Sequence, residues 1–134
     1  MNNIYIYLIT TVLFFAFDMV WLGLIAKNIY KEKIGFIISG SVDWTAAIGF
    51  YLLYIAGILY FAILPALRGA DIKIALLNGA ILGFLCYATY DLTNKATIEK
   101  WPWSIVFIDL IWGTVLTSTV ATLSYIITSK LKLG

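Results

Sequence analysis

Phe84-Leu85-Cys86-Tyr87-Ala88-Thr89-Tyr90-Asp91-Leu92-Thr93-Asn94 ends a long apolar run on a carboxylate set among tyrosines, threonines and an amide. The run begins near Ile72. A helix needs about 20 mostly apolar residues to cross the hydrocarbon core of a bilayer. Residues 72–93 meet that length. A carboxylate inside such a span costs several kcal/mol unless it faces protein, water or a partner. Asp18 and Asp109 interrupt two further apolar runs in the same way.

Outside this stretch the whole chain reads as membrane protein. It has 134 residues, of which 63% are hydrophobic and only 12% charged. Soluble domains carry about 25% charged residues. Too little polar surface remains to cover a water-soluble globule. The expected fold is an all-α bundle of four transmembrane helices forming one domain over residues 1–134. The spans are expected near 4–26, 44–64, 72–93 and 103–127. The run from Ile4 to Ala26 is too long for the apolar core of a signal peptide and lacks a basic leader, so it is expected to remain as span one.

Charge and ligand chemistry exclude several classes. Setting aside Asp18, Asp91 and Asp109, nine basic residues face four acidic ones, a net +5 in the polar segments. That balance suits anionic lipid headgroups. It is too dispersed for a nucleic-acid surface, so no nucleic-acid partner is expected. The chain has no histidine and one cysteine, Cys86. No disulfide can form within it, and the usual zinc, haem and iron–sulfur ligand sets are missing. No cofactor is expected; an oxygen-ligated cation is the one inorganic ligand the side chains suit.

Along the chain, Thr11, Phe14, Asp18, Trp21 and Ile25 fall on one face of span one. Residues 27–43 hold Lys27, Lys31, Glu32 and Lys33, then Ile34-Gly35-Phe36-Ile37-Ile38, and are expected to form a short interfacial helix between spans one and two. Pro65 is expected to end span two, leaving a turn from Ala66 to Asp71. In span three, Ala75, Gly79, Gly83, Tyr87 and Asp91 share one i, i+4 row. Close helix packing on the small residues thus runs into a polar end. Span four carries small rows at Gly113, Thr117, Ala121 and at Thr114, Ser118, Thr122. Trp44, Trp101 and Trp103 are expected in an interfacial belt. Lysine and arginine are split four against five between the two sides, which sets no orientation.

Depth draws the polar residues together. Asp18 and Asp109 lie roughly 12 and 10 Å from the same membrane face, taking about 1.5 Å per residue. Asp91 is expected near that face as the shallow member. Tyr51, Tyr54, Tyr87, Trp21 and Trp112 occupy the same half, and Asn94 follows Asp91 as a cap or a ligand. These nine residues make the expected intramembrane pocket. Asp18-x-x-Trp21 and Asp109-x-x-Trp112, each followed closely by glycine, share a local pattern.

Phe17-Asp18-Met19-Val20-Trp21-Leu22-Gly23, Tyr51-Leu52-Leu53-Tyr54, Tyr87 to Asn94, and Trp101-Pro102 with Asp109-x-x-Trp112-Gly113 resemble the small bacterial membrane proteins grouped as domain of unknown function 2177. The resemblance implies a four-span protein of the bacterial inner membrane and brings no established activity with it. From the residues alone, the first functional expectation is binding or transport of a cation or small cationic or amphipathic solute. Transport through four spans would call for a homodimer. The alternatives are a membrane enzyme acting on a lipid or isoprenoid, with carboxylates as acid and base, and an accessory subunit of a membrane complex. Membrane lipids are partners in every case.

Overall fold

The computed structural model describes residues 2–38 and 40–133. Met1, Ser39 (within the expected 27–43 connection) and Gly134 lie outside the described residues. Six α-helices follow in order: α1 Asn3–Val20, α2 Lys27–Ile34, α3 Trp44–Ile58, α4 Leu64–Gly69, α5 Ile72–Thr97 and α6 Trp103–Lys130. Wide turns with i→i+5 hydrogen bonds, Trp21–Ile25 and Leu59–Ile63, extend α1 and join α3 to α4. Four continuous helical runs result, Asn3–Ile25, Trp44–Gly69, Ile72–Thr97 and Trp103–Lys130, each long and apolar enough to cross a membrane. Leu24, Leu53, Leu77, Phe107 and Ile111 stand exposed on the outside, as lipid-facing residues do.

The tightest seam joins α5 to α6. Ala75, Gly79, Gly83 and Asp91 of α5 are all buried, so the small row of the sequence faces its neighbour. A Cβ on Gly79 would stand 2.9 Å from the Ser118 Cα, and one on Gly83 would collide with the Gly113 carbonyl and Thr117. Gly113 in turn receives the Tyr87 ring, which a Cβ there would strike. Backbones that close gain dispersion contacts that larger side chains would prevent. Around the seam, Ile6, Phe14, Ile55, Ile58, Ile63, Leu116 and Val120 fill the core.

Pro65 does not end span two. It falls in the first turn of α4, and the helix runs on to Gly69 before Ala70 turns left-handed at φ 49°. The expected turn from Ala66 shrinks to Ala70 and Asp71. The physical reason is local satisfaction of the backbone. Proline has no N–H for the carbonyl four residues back, that of Phe61. Asn78 Nδ2 donates to that carbonyl at 2.9 Å. The wide turn before Pro65 absorbs the ring, with the Leu64 N–H reaching back to Leu59. Asn78 thereby ties α5 to span two at the membrane face opposite the aspartates.

Three further expectations shift. Span three continues to Thr97, past Thr93, and within it the Thr93 and Thr97 hydroxyls bond the carbonyls of Thr89 and Thr93. The short helix after span one is Lys27–Ile34, and it packs on the bundle: Ile34, with Ile29 and Tyr30, meets Trp101, Ile105 and Val106. Trp101 is buried at 2% exposure, so it is no belt residue, whereas Trp44 and Trp103 are exposed. The Trp101 backbone N–H donates to the Ile98 carbonyl at 3.1 Å in the turn that precedes α6.

The α5–α6 seam generates a test. Gly83→Ala is expected to destabilise the protein by about 1–3 kcal/mol through overpacking. Gly57→Ala, where an added Cβ meets nothing within 4 Å, is expected to change stability by less than about 0.5 kcal/mol. Thermal unfolding in mild detergent compares the two; equal effects would contradict the packing assigned to the glycine row.

Candidate functional site

The polar residues gather where α1 and α5 end and α3 and α6 begin. Asp18, seven residues before Ile25, Asp91, six before Thr97, and Asp109, six after Trp103, sit at one level. Each is roughly 9–10 Å in from its helix end. Asp91 is therefore not the shallow member. It is fully buried, while Asp18 and Asp109 keep 6% exposure each. The four residues that α5 adds beyond Thr93, Asn94 to Thr97, put Asp91 inside the bundle.

Asp18 and Asp109 line the same cavity, of about 960 Å³. Its walls include Trp21, Tyr30, Tyr51, Tyr87, Tyr90 and Trp112, with Lys27 and Lys31 of α2. Tyr51 Oη donates to Asp18 Oδ2 at 3.2 Å. Tyr30 Oη donates to Asp109 Oδ1 and accepts from Trp21 Nε1 at 3.1 Å. The Trp112 indole flanks Asp18. Trp21 and Trp112 stack, with ring centroids 4.5 Å apart and planes 9° from parallel.

The two Asp-x-x-Trp segments thus exchange partners. Trp21, from the Asp18 segment, supports the network of Asp109. Trp112, from the Asp109 segment, stands beside Asp18. On a helix, residues three apart lie on neighbouring positions of one face. Facing α1 and α6 segments with this spacing therefore bring their indoles together and their carboxylates to either network. The wide turn at Trp21–Ile25 adjusts the last part of span one, a placement common at functional sites.

Asp91 lies behind Asp109. Neither carboxylate oxygen of Asp91 makes a hydrogen bond, and both are buried. Its polar neighbours are the Asp109 carboxyl and the Trp101 indole. Lys95, four residues on, does not pair with it; the Lys95 ammonium lies over the Trp103 ring at 5.5 Å. Tyr54 is spent on Thr117, 2.7 Å away, and stacks edge-on to Tyr87 at 6.4 Å. Asn94 is only half-buried and stands beside the Tyr90 hydroxyl. Tyr54, Asn94 and Asp91 do not line the cavity, so they support it from behind or beside. No three His, Cys, Asp or Glu side chains among the described residues are grouped closely enough to hold a metal ion.

Tyr90 lines the cavity outside the expected nine, and Tyr30 is the hydrogen-bonding site residue that sequence reasoning missed. It sits on the short amphipathic helix, outside the spans, where no depth argument reaches it. Its only signal is position: Lys27 and Lys31 flank it on a helix whose other face is apolar. Burial pushes the Tyr30 hydroxyl far above the ordinary phenol value of 10.0, and the bond to Asp109 adds to that. It stays a donor throughout the physiological range.

Tyr30→Phe is expected to cost about 1–3 kcal/mol, since it leaves a buried carboxylate short of a donor. The sign of its pH dependence follows from linkage: the native state raises the phenol pKa, so its contribution is complete below pH 10.0 and is lost as pH rises through the native-state value. Unfolding measured against pH should show a constant gap between wild type and Tyr30→Phe up to about pH 10, closing above it. A gap that widens in alkali would contradict the assignment.

A family model described as a predicted membrane protein, DUF2177, matches residues 3–126. No curated protein and no solved structure matches the chain. The match takes in α1 through most of α6, including every residue of the cavity. The chain is a member of the DUF2177 family of membrane proteins.

Proposed function

We propose that this protein binds a small organic cation in the intramembrane cavity. The observation that supports the reading is that the carboxyl groups of the site form no ion pair with a protein cation among the described residues. Asp18 and Asp109 line one cavity, Asp91 stands unpartnered behind Asp109, and no lysine or arginine pairs with any of them among the described residues. Carboxyl groups at membrane depth that no protein cation pairs are open to a cationic ligand. Tyrosine and tryptophan rings surround them, and aromatic faces attract desolvated cations by about 2 kcal/mol or more. The cavity is far larger than a single metal ion needs, and its carboxylates belong to two separate hydrogen-bond networks. Both features suit an organic ammonium group better than an inorganic ion.

The reading places the protein in the bacterial inner membrane, with Lys27, Lys31 and Lys33 at the headgroup level of the cavity side. There α2 would lie along the interface and roof the site. Binding needs one copy of the chain. Transport across the bilayer would need a second copy, since the cavity is built at one end of a single bundle. No observation favours the enzymatic or accessory reading over binding.

Tetramethylammonium is the probe for this reading. Equilibrium binding to the protein in lipid nanodiscs is expected to be saturable. Asp18→Asn and Asp109→Asn are each expected to weaken it at least about 10-fold, or about 1.4 kcal/mol. Binding no greater than to protein-free nanodiscs, or unchanged in both variants, would overturn the proposal.

A further inference from the structure

The cavity does not end at its polar walls. A second hollow of about 310 Å³ adjoins it, lined by Phe50, Cys86, Tyr87 and Tyr90. Phe50, Tyr87 and Tyr90 belong to both. The hollow is set between α3 and α5. Those two helices barely meet along their length, although α5 packs closely on Leu59–Ile63 below. The edge-to-face pair of Tyr54 and Tyr87 forms the lower apex of the gap. One turn further toward the aspartate end, Phe50 and Tyr90 stand 50% and 55% exposed on the outer surface of the bundle. In a membrane that surface faces acyl chains, so the gap is a side opening from the bilayer into the carboxylate cavity.

From this continuity we infer that the ligand is a long-chain amine or alkylammonium, whose cationic head sits with Asp18 and Asp109 and whose apolar tail leaves between α3 and α5. The inference rests on the cation-binding reading for its head and adds the tail. Charge complementarity decides between this occupant and ordinary lipid: the inner end of the groove is walled by two carboxylates, which repel phosphate and attract ammonium. The lysines of α2 do not oppose this. Lys27 and Lys31 are exposed, and long side chains of this kind lay their stems on apolar surface while the ammonium stays in water or among headgroups. The groove wall is apolar apart from the tyrosine hydroxyls, as a tail requires. The ligand needs no route through water, because it reaches the site from the leaflet.

Cys86 supplies the test, because it is the chain's one cysteine and lines the groove rather than the carboxylate cavity. Wild-type protein in nanodiscs would be labelled with N-ethylmaleimide, and the rate of Cys86 modification followed by mass spectrometry. Dodecyltrimethylammonium is expected to slow labelling at least about 10-fold at concentrations where tetramethylammonium, which fills only the head site, leaves the rate unchanged. Dodecyl sulfate, with the same tail and the opposite charge, is expected to give no protection. In Asp109→Asn the protection by dodecyltrimethylammonium should fall away. Protection by dodecyl sulfate equal to that by dodecyltrimethylammonium would overturn the inference, since the groove would then be an unselective lipid crevice. Unchanged labelling under dodecyltrimethylammonium, with tetramethylammonium binding intact, would also overturn it and leave the head site standing. Loss of tetramethylammonium binding itself would instead be the failure of the cation-binding reading.

Discussion

A carboxyl group inside a bilayer must be met by the protein, because hydrocarbon offers it nothing. The architecture of this bundle at one end follows from meeting three of them. Asp18 takes the Tyr51 hydroxyl and the company of Trp112. Asp109 takes Tyr30, which is itself held by Trp21. Asp91 takes nothing but proximity to Asp109 and Trp101. Protein side chains thus supply two of the three sites with neutral donors and none with a countercharge. A core that only needed stability would be better served by apolar residues of similar size, since buried ionic groups usually lose more in desolvation than they recover. Asp18 and Asp109 stand instead in the wall of a cavity, with Asp91 behind Asp109.

Two features of the backbone hold that wall in place. The glycine row of α5 lets α6 approach until backbone touches backbone, which brings Asp91 beside Asp109 and presses Tyr87 onto Gly113. The wide turns at Trp21–Ile25 and Leu59–Ile63 then change the course of spans one and two without breaking them. The first leads into α2, whose Tyr30 reaches the cavity. The second lets Pro65 sit within a continuous span, with Asn78 supplying the missing donor to Phe61. Close packing of α5 on α6 and sparse contact between α3 and α5 flank the cavity.

Much of this was legible in the chain. Run length and the scarcity of charge give four helices, and the Gly79–Gly83 and Gly113–Thr117 spacing gives the seam. The convergence of Asp18 and Asp109 follows from depth counted along a helix. What escaped are features set by tertiary contact. Span three runs four residues past Thr93, so Asp91 lies deeper than a cut at Thr93 suggests. Trp101 resembles a belt residue in sequence and is buried by a turn that sequence does not specify. Pro65 stops an isolated helix, but a side chain from another helix repairs the loss. Tyr30 acquires its role only because α2 folds back over the bundle, and no periodicity marks such a contact. The side groove depends on the angle between α3 and α5, which the sequence of neither helix determines.

The central claim is that Asp18 and Asp109 serve a single cation. Tetramethylarsonium has the shape and charge of tetramethylammonium and an anomalously scattering centre, so crystals grown with it locate the charge directly. The account predicts one arsenic peak inside the cavity, in van der Waals reach of the Asp18 and Asp109 carboxylates and of an aromatic face from Trp21, Trp112, Tyr30 or Tyr51. An ordered cavity with no peak at saturating tetramethylarsonium, or a peak confined to the outer surface, would contradict it.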